Sequence, residues 1–182
     1  MRREDQGQTR YFHLLDPFIP DPDVHKRHEI TIRAPVAIVF NTVYKFDLQS
    51  IWMVRLIFWL RANLLSAKVQ ARGSTEFIAE MLHLGWERLA EERNHFFIAG
   101  AVCQPWHADV TFSPIAGQFA AFDEPGRVKI ASTLETEALG PVLTRLATET
   151  RAVATDDAAR TKFRRYWRKF GIGAMLIRRR LS

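Results

Sequence analysis

Residues 128–138 alternate between two sets of side chains, as the positions of a β-strand do. One set holds Val128, Ile130, Ser132 and Leu134, and the other holds Lys129, Ala131, Thr133 and Glu135. A period of two places successive side chains on opposite faces of a sheet. A second strand is predicted over 146–155, after a break at Gly140-Pro141. The last third of the chain is therefore predicted to begin with paired strands.

A long helix is predicted to follow these strands, starting at Asp156. Its aromatic side chains recur at helical spacing on one side: Phe163, Tyr166, Trp167 and Phe170. Gly171 and Gly173 indicate a kink or an end of this helix. A helix held against a curved sheet encloses an apolar hollow, so the first hypothesis is a small-molecule pocket.

The preceding part of the chain predicts a lead-in, one strand and several helices. Residues 1–27 contain closely spaced prolines and read as an extended lead-in. A strand is expected over 28–34, followed by a helix from Pro35 to about residue 47. A second helix over 48–67 is apolar nearly all round, which indicates core packing, with a pocket lid or a subunit contact as alternatives. Arginines interrupt it, so a membrane span is rejected.

A third helix is predicted after Ser74, and Gly85 is expected to end it. Beyond that glycine the pattern becomes that of strands. They are predicted over 86–91, 95–103, 110–112 and 119–122, with a turn at 123–126 that leads into Val128. A strand, two or three helices, a run of antiparallel strands and one terminal helix make an α+β order.

Besides this order, the segments 30–35 with 39–40, 85–91, 119–126, 148–151 and 156–167 are distinctive. On these residues the chain resembles the START-like superfamily, the polyketide cyclase/dehydrase and lipid transport proteins, in an uncharacterised bacterial branch. The resemblance covers roughly residues 28–180 and implies a helix-grip fold, a curved antiparallel sheet wrapped around a long C-terminal helix. Residues 28–182 would then form a single domain. The superfamily includes binders, transporters and enzymes, so the resemblance says little about chemistry.

Composition supports a single folded domain. The chain has 182 residues, of which 47% are hydrophobic. Cys103 is the only cysteine, which excludes an intramolecular disulfide and a cysteine-based zinc site. The first residues, Met1-Arg2-Arg3, open a polar segment without the apolar stretch of a secretory signal. A cytoplasmic location is therefore expected.

Positive charge is concentrated at the C-terminal end. Residues 151–182 contain ten Lys or Arg and two Asp, a net charge of +8, whereas the whole chain carries +6 and the preceding part −2. Such a segment can contact an anionic membrane or nucleic acid, the latter being less favoured here. A solvated helix face is the simpler interpretation.

Motifs for catalysis or for binding metals are absent from the sequence. None of the six histidines is paired at a spacing of two or four on a predicted helix, and no nucleophile elbow or phosphate-binding glycine loop is present. Cys103 closes an apolar run and reads as a buried thiol. No metal and no cofactor are expected.

Glu149 is the one candidate acid or base. If it faced the cavity, desolvation would raise its pKa and make it an acid or an anchor for a polar ligand group. The alternative is an ion pair with Arg151 or Lys129. Glu135 and Glu137 share one face of a strand and are expected to face solvent.

The candidate ligand-binding residues are mostly aromatic, because apolar pockets have few polar groups. They are Trp52, Trp59, Phe97, Trp106, Glu149, Phe163, Tyr166, Trp167 and Phe170. The same side chains would also suit an ordinary core. The favoured function is non-catalytic binding of a hydrophobic small molecule, such as a lipid, polyketide or isoprenoid. The alternatives are a cyclase or dehydratase that uses Glu149, and docking of the basic helix on anionic lipid or nucleic acid.

Overall fold

The computed structural model describes residues 14–44, 77–83, 85–107, 110, 112, 113, 115 and 117–178. The helix predicted over 48–67, with Trp52 and Trp59, lies outside these residues. The protein has an α+β fold, with one antiparallel sheet and a C-terminal helix.

The sheet has five strands, and all four pairings are antiparallel. In chain order the strands are β1 (Val24–Ile32), β2 (Glu87–Glu92), β3 (Phe96–Cys103), β4 (Val128–Gly140) and β5 (Leu143–Ala154). Across the sheet the order is β1, β5, β4, β3, β2. Among the described strands, β1 is therefore an edge strand, and the two longest, β4 and β5, pair in the interior of the sheet.

Three helices are described: α1 (Val36–Tyr44), α2 (Phe77–His83) and α3 (Asp157–Arg178). Gly85 follows α2 with a φ of 100°, a left-handed conformation that glycine adopts without steric cost. The helix α3 continues through Gly171 and Gly173, so these glycines do not end it. Within the described residues, no helix has the length and hydrophobicity needed to cross a bilayer.

The alternation predicted for 128–138 is confirmed, and it divides the sheet into two faces. We call the side with Phe97, Leu134 and Ala152 the helix face, because α1, α2 and α3 pack on it. We call the side with Ile98 and Ala131 the loop face, because non-helical segments cover it.

Two separate apolar clusters occupy the helix face. The first is formed by α1, α2 and the sheet: Val39, Ile78, Phe97, Ala99, Leu134 and Leu146. The second joins the start of α3 to the ends of β4 and β5: Val128, Ala152, Ala154, Ala159 and Phe163. Each end of this face is therefore anchored independently.

The N-terminal segment covers the loop face. Leu15 and Ile19 are fully buried there against Ile98 and Val102, together with Phe119. The strand β1 begins at Val24 rather than at residue 28. The described part of the predicted lead-in thus contributes to the core and to the sheet.

Residues 119–122 form turns instead of the predicted strand. Phe119 is buried and its ring lies over the backbone of Gly100 in β3. The apolar pattern there reflects packing of a loop on the sheet, because a buried loop aromatic has the same local signature as a strand residue. The turn at 123–126 is confirmed, with Gly126 at a φ of 78°.

Asp156 joins α3 to this turn. Its carboxylate accepts hydrogen bonds from the backbone amides of Ala159, at 2.7 Å, and of Gly126. The first is the N-cap contact that satisfies a free amide of the first helical turn. These backbone hydrogen bonds lower the pKa of Asp156. The predicted helix start is therefore confirmed, with a cap that also fixes the preceding turn.

Substitution of Gly100 by alanine is expected to destabilise the fold. The new Cβ would lie 2.6 Å from Leu89 Cδ1 and 2.9 Å from Phe119 Cδ2, so the loop would have to move. Overpacking of this kind costs about 1–3 kcal/mol. Urea denaturation of Gly100→Ala measures the loss. Gly140→Ala is the matched control, because its Cβ would have Leu143 Cβ at 3.9 Å and no clash. Equal stability of the two variants would contradict the packing described.

Candidate functional site

A strip of polar side chains crosses the middle of the helix face, between the two apolar clusters. The hydroxyls of Ser132 on β4 and Thr150 on β5 lie 2.9 Å apart in directly paired positions. Both residues are partly exposed, as is Ile130, and Thr148 is exposed. We call Ser132, Thr148 and Thr150 the hydroxyl strip. It offers hydrogen-bonding groups between two apolar walls.

The predicted aromatic residues are divided between the two walls. Phe97 lies in the first cluster, with its ring centroid 5.7 Å from that of Tyr44. Phe163 is buried in the second, where Trp106 and Tyr166 pack against it. Trp167 contacts the Phe163 ring at 5.9 Å but stays 36% exposed. The structure therefore brings Trp106, Phe163 and Tyr166 together.

Three predicted ligand contacts cannot be placed. Trp52 and Trp59 lie outside the described residues, and only the backbone of Phe170 is described, as part of α3.

Glu149 lies on the loop face, on the opposite side of the sheet from Phe163. The register shows this directly, since Glu149 pairs with Thr133 on β4 and with Arg27 on β1. Its side chain therefore cannot converge with the aromatic residues of the helix face. The placement of Glu149 in a common cavity with them is corrected.

The carboxylate of Glu149 is fully engaged by basic side chains. Oε1 accepts from Arg151 Nε at 2.8 Å and lies 3.0 Å from His25 Nε2. Oε2 accepts from Arg27 Nη1 at 2.9 Å. Glu149 is 1% exposed. The suggested ion pair with Arg151 is present, whereas Lys129 instead donates to the Ala120 carbonyl at 2.7 Å.

Arg27 connects Glu149 to a second buried carboxylate, that of Glu135. Arg27 Nη2 lies 3.2 Å from Glu135 Oε2, and Thr133 Oγ1 donates to Glu135 Oε1 at 2.7 Å. Glu135 is 1% exposed, so the expectation that it faces solvent is wrong. The half-exposed Glu137 shares its face as predicted and pairs with Arg145.

Arg151 ties this group to the N-terminal segment. Its Nη1 donates to Asp16 Oδ1 at 2.6 Å and to the Ile19 carbonyl at 2.9 Å. We call Arg27, Glu135, Glu149 and Arg151 the charge network. Two guanidinium groups and two carboxylates balance within it, so the sheet buries no net charge there.

Burial and ion pairing shift the pKa values of Glu135 and Arg27 in opposite directions. Burial raises the pKa of Glu135, despite the hydrogen bond from Thr133 and the charge of Arg27. Burial disfavours the charge of Arg27, but hydrogen bonding to Glu29 and the contacts with Glu135 outweigh it and raise its pKa. Pairing within the network therefore opposes the cost of burial, and at Glu135 burial outweighs it.

An open groove of about 540 Å³ lies where α3 meets the segment before β1. Asp21, Asp23, Asp157, Arg160 and Arg164 are among its lining residues. Asp23 accepts from Arg160 Nε and from the Ala154 amide, both at 2.9 Å, so its carboxylate serves the fold. In the part of the chain that the structure describes, no group of His, Cys, Asp and Glu could hold a metal ion.

Comparisons with known proteins do not identify the chain. No family model and no curated protein matches it. Among solved structures, a protein from Deinococcus radiodurans is similar over 82% of this chain and 99% of its own, with 10% sequence identity and a TM-score of 0.34. A likeness of that size carries no inference about function.

Replacing Arg151 by methionine is expected to cost about 3–5 kcal/mol of stability, because it leaves a buried carboxylate without one of its partners. It also removes both contacts with the N-terminal segment. Chemical denaturation gives the value. Arg145→Met is the matched control on the same strand and face. Its partner Glu137 is half-exposed, and such pairs contribute less than about 1 kcal/mol. A similar loss of stability in both variants would show that the cost of removing Arg151 does not come from the burial of its partners.

The stability of Glu135→Gln, measured as its free energy of unfolding, is expected to rise relative to that of the native chain as the pH increases from acid to neutral. Burial raises the pKa of Glu135, so in the window between its unfolded and folded values the folded state keeps a proton that the unfolded state has lost. The native chain loses stability across that window, and glutamine does not. The free energy of unfolding of both proteins, measured over this pH range, tests the sign. A difference that is constant or falls with pH would contradict it.

Proposed function

We propose that the protein binds a hydrophobic small molecule, such as a lipid, polyketide or isoprenoid, on the helix face without transforming it. The observation that supports this most is the hydroxyl strip. It remains partly exposed between two apolar clusters, one anchored by α1 and α2 and the other by α3. An apolar body with one polar group matches such a surface.

A helix-grip arrangement is the second part of this proposal. The described order of strand, helices, antiparallel strands and terminal helix agrees with that fold, and Phe163 of α3 packs on the sheet end beside Val128. In a helix-grip fold the bound molecule occupies the space between the terminal helix and the sheet. Ser132 and Thr150 would then lie on its floor.

The state of Glu149 favours binding over acid–base catalysis. A general acid or base needs a free oxygen within reach of its substrate. Both oxygens of Glu149 contact basic side chains, and the residue lies on the opposite face from the hydroxyl strip. The cyclase or dehydratase alternative therefore has no support from this residue.

Mass spectrometry of small molecules extracted from the purified protein is the direct experiment. The proposal expects a co-purifying apolar compound in a defined ratio to protein. Titration with cis-parinaric acid, a fluorescent fatty acid, provides a second readout. Absence of both a co-purified compound and saturable probe binding would reject the proposal.

Thr148→Phe is expected to weaken binding of cis-parinaric acid by about 10–100-fold, because a bulky ring would fill the strip at a cost of about 1–3 kcal/mol. Thr148 is exposed, so the fold should tolerate the change. Thr31→Phe is the matched control, an exposed strand position on the loop face. Glu149→Gln should also leave the affinity unchanged. Equal weakening by Thr31→Phe, or loss of binding in Glu149→Gln at a temperature where it stays folded, would place the ligand elsewhere.

A further inference from the structure

The outward side of α3 carries a row of cations. Five of the eight residues 162–169 are Lys or Arg, and none is acidic. Arg164, Arg165 and Arg168 are exposed, while Phe163 on the inward side is buried. Arg164 Nη2 forms a long ion pair with Asp23 Oδ1 at 3.7 Å, and no described acidic side chain pairs with Arg165 or Arg168.

Trp167 lies at the border of this basic row. It is 36% exposed, although its ring contacts Phe163 at a centroid distance of 5.9 Å. A large indole that keeps 36% of its surface exposed is costly to leave in water. Tryptophan is enriched at the interface between lipid headgroups and acyl chains, where one part of the ring is apolar and its N–H remains solvated.

The end of α3 changes character in sequence. Residues 170–177 contain no polar side chain, so at 100° per residue the helix has no polar face there. Eight helical residues extend about 12 Å, well short of the roughly 20 residues that a span requires. Arg178, Arg179 and Arg180 follow directly. Cations therefore flank a short apolar helix on both sides.

We propose that the C-terminal half of α3, residues 164–178, is a docking surface for an anionic lipid bilayer. The cations complement acidic headgroups, while Trp167 and the apolar stretch enter the interface without crossing the bilayer. Nucleic acid would match the basic row but gives no role to the apolar stretch, so a bilayer fits more of the observations. This proposal does not depend on ligand binding at the hydroxyl strip.

Co-sedimentation of the full chain with vesicles tests the proposal. Binding is expected to vesicles of phosphatidylcholine mixed with phosphatidylglycerol, and to be far weaker with phosphatidylcholine alone. The triple variant Arg164→Gln, Arg165→Gln and Arg168→Gln should lower the partition coefficient by about 100-fold, since each cation near an anionic surface contributes roughly one factor of five. Retention of native binding by this variant would overturn the proposal.

A control triple variant separates this surface from net charge. Arg33→Gln, Arg88→Gln and Arg93→Gln remove the same charge from exposed positions far from α3 in sequence. Its partition coefficient should stay within about twofold of the native value, because this variant keeps every cation of the proposed docking surface. A loss equal to that of the α3 variant would mean that overall charge governs binding, which would overturn the proposal. Binding to duplex DNA together with no binding to anionic vesicles would do the same.

Quenching by brominated lipids gives a readout of depth. Part of the tryptophan fluorescence of the bound native chain should be quenched, and Trp167→Phe should remove that part. Unchanged quenching in Trp167→Phe would contradict insertion at this position.

Discussion

The charge network on the loop face determines how this sheet is put together. Glu149 on β5 is buried. The cost of burying its carboxylate is offset by hydrogen bonds from Arg151 to Oε1 and from Arg27 to Oε2. Arg27 comes from β1 and also contacts Glu135 of β4, so one guanidinium connects three strands. A register shift of one residue would turn these charges toward the apolar clusters of the other face. The charge network therefore specifies the register of the strands and also holds the segment that covers the loop face.

The two faces of the sheet are covered in different ways. The loop face is closed by Arg151, which contacts Asp16 and the Ile19 carbonyl and so fixes the N-terminal segment over the sheet. On the helix face the described residues form one apolar cluster at each end, and uncharged hydroxyls lie between the two clusters. Among the described residues, the buried charged side chains lie on the loop face, and hydroxyls lie in the middle of the helix face.

The parts of this arrangement that depend on local pattern could be predicted from sequence. The alternation of β4, the turn at 123–126 and the start of α3 at Asp156 follow from neighbours in the chain. The burial of Glu135 could not be predicted, because its partner Arg27 is 108 residues away. Glu149-x-Arg151 and Thr133-x-Glu135 place polar pairs on one face, a signal that gains meaning only once β1 is paired with β5. Phe119 read as a strand residue for the same reason, since its contact is Gly100 of another element.

The first half of the helix α3 is held by contacts with the rest of the protein, and its second half has a basic and then an apolar sequence. Its first turns are held by the Asp156 cap, by Arg160 on Asp23 and by Phe163 in the core. These contacts use one side of the helix and leave Arg165 and Arg168 facing outward. A rigidly anchored start makes the outward cations a preorganised surface, which reduces the entropy lost on docking. The hydroxyl strip and this surface have no residue in common, so ligand binding and bilayer docking can fail or persist independently of each other.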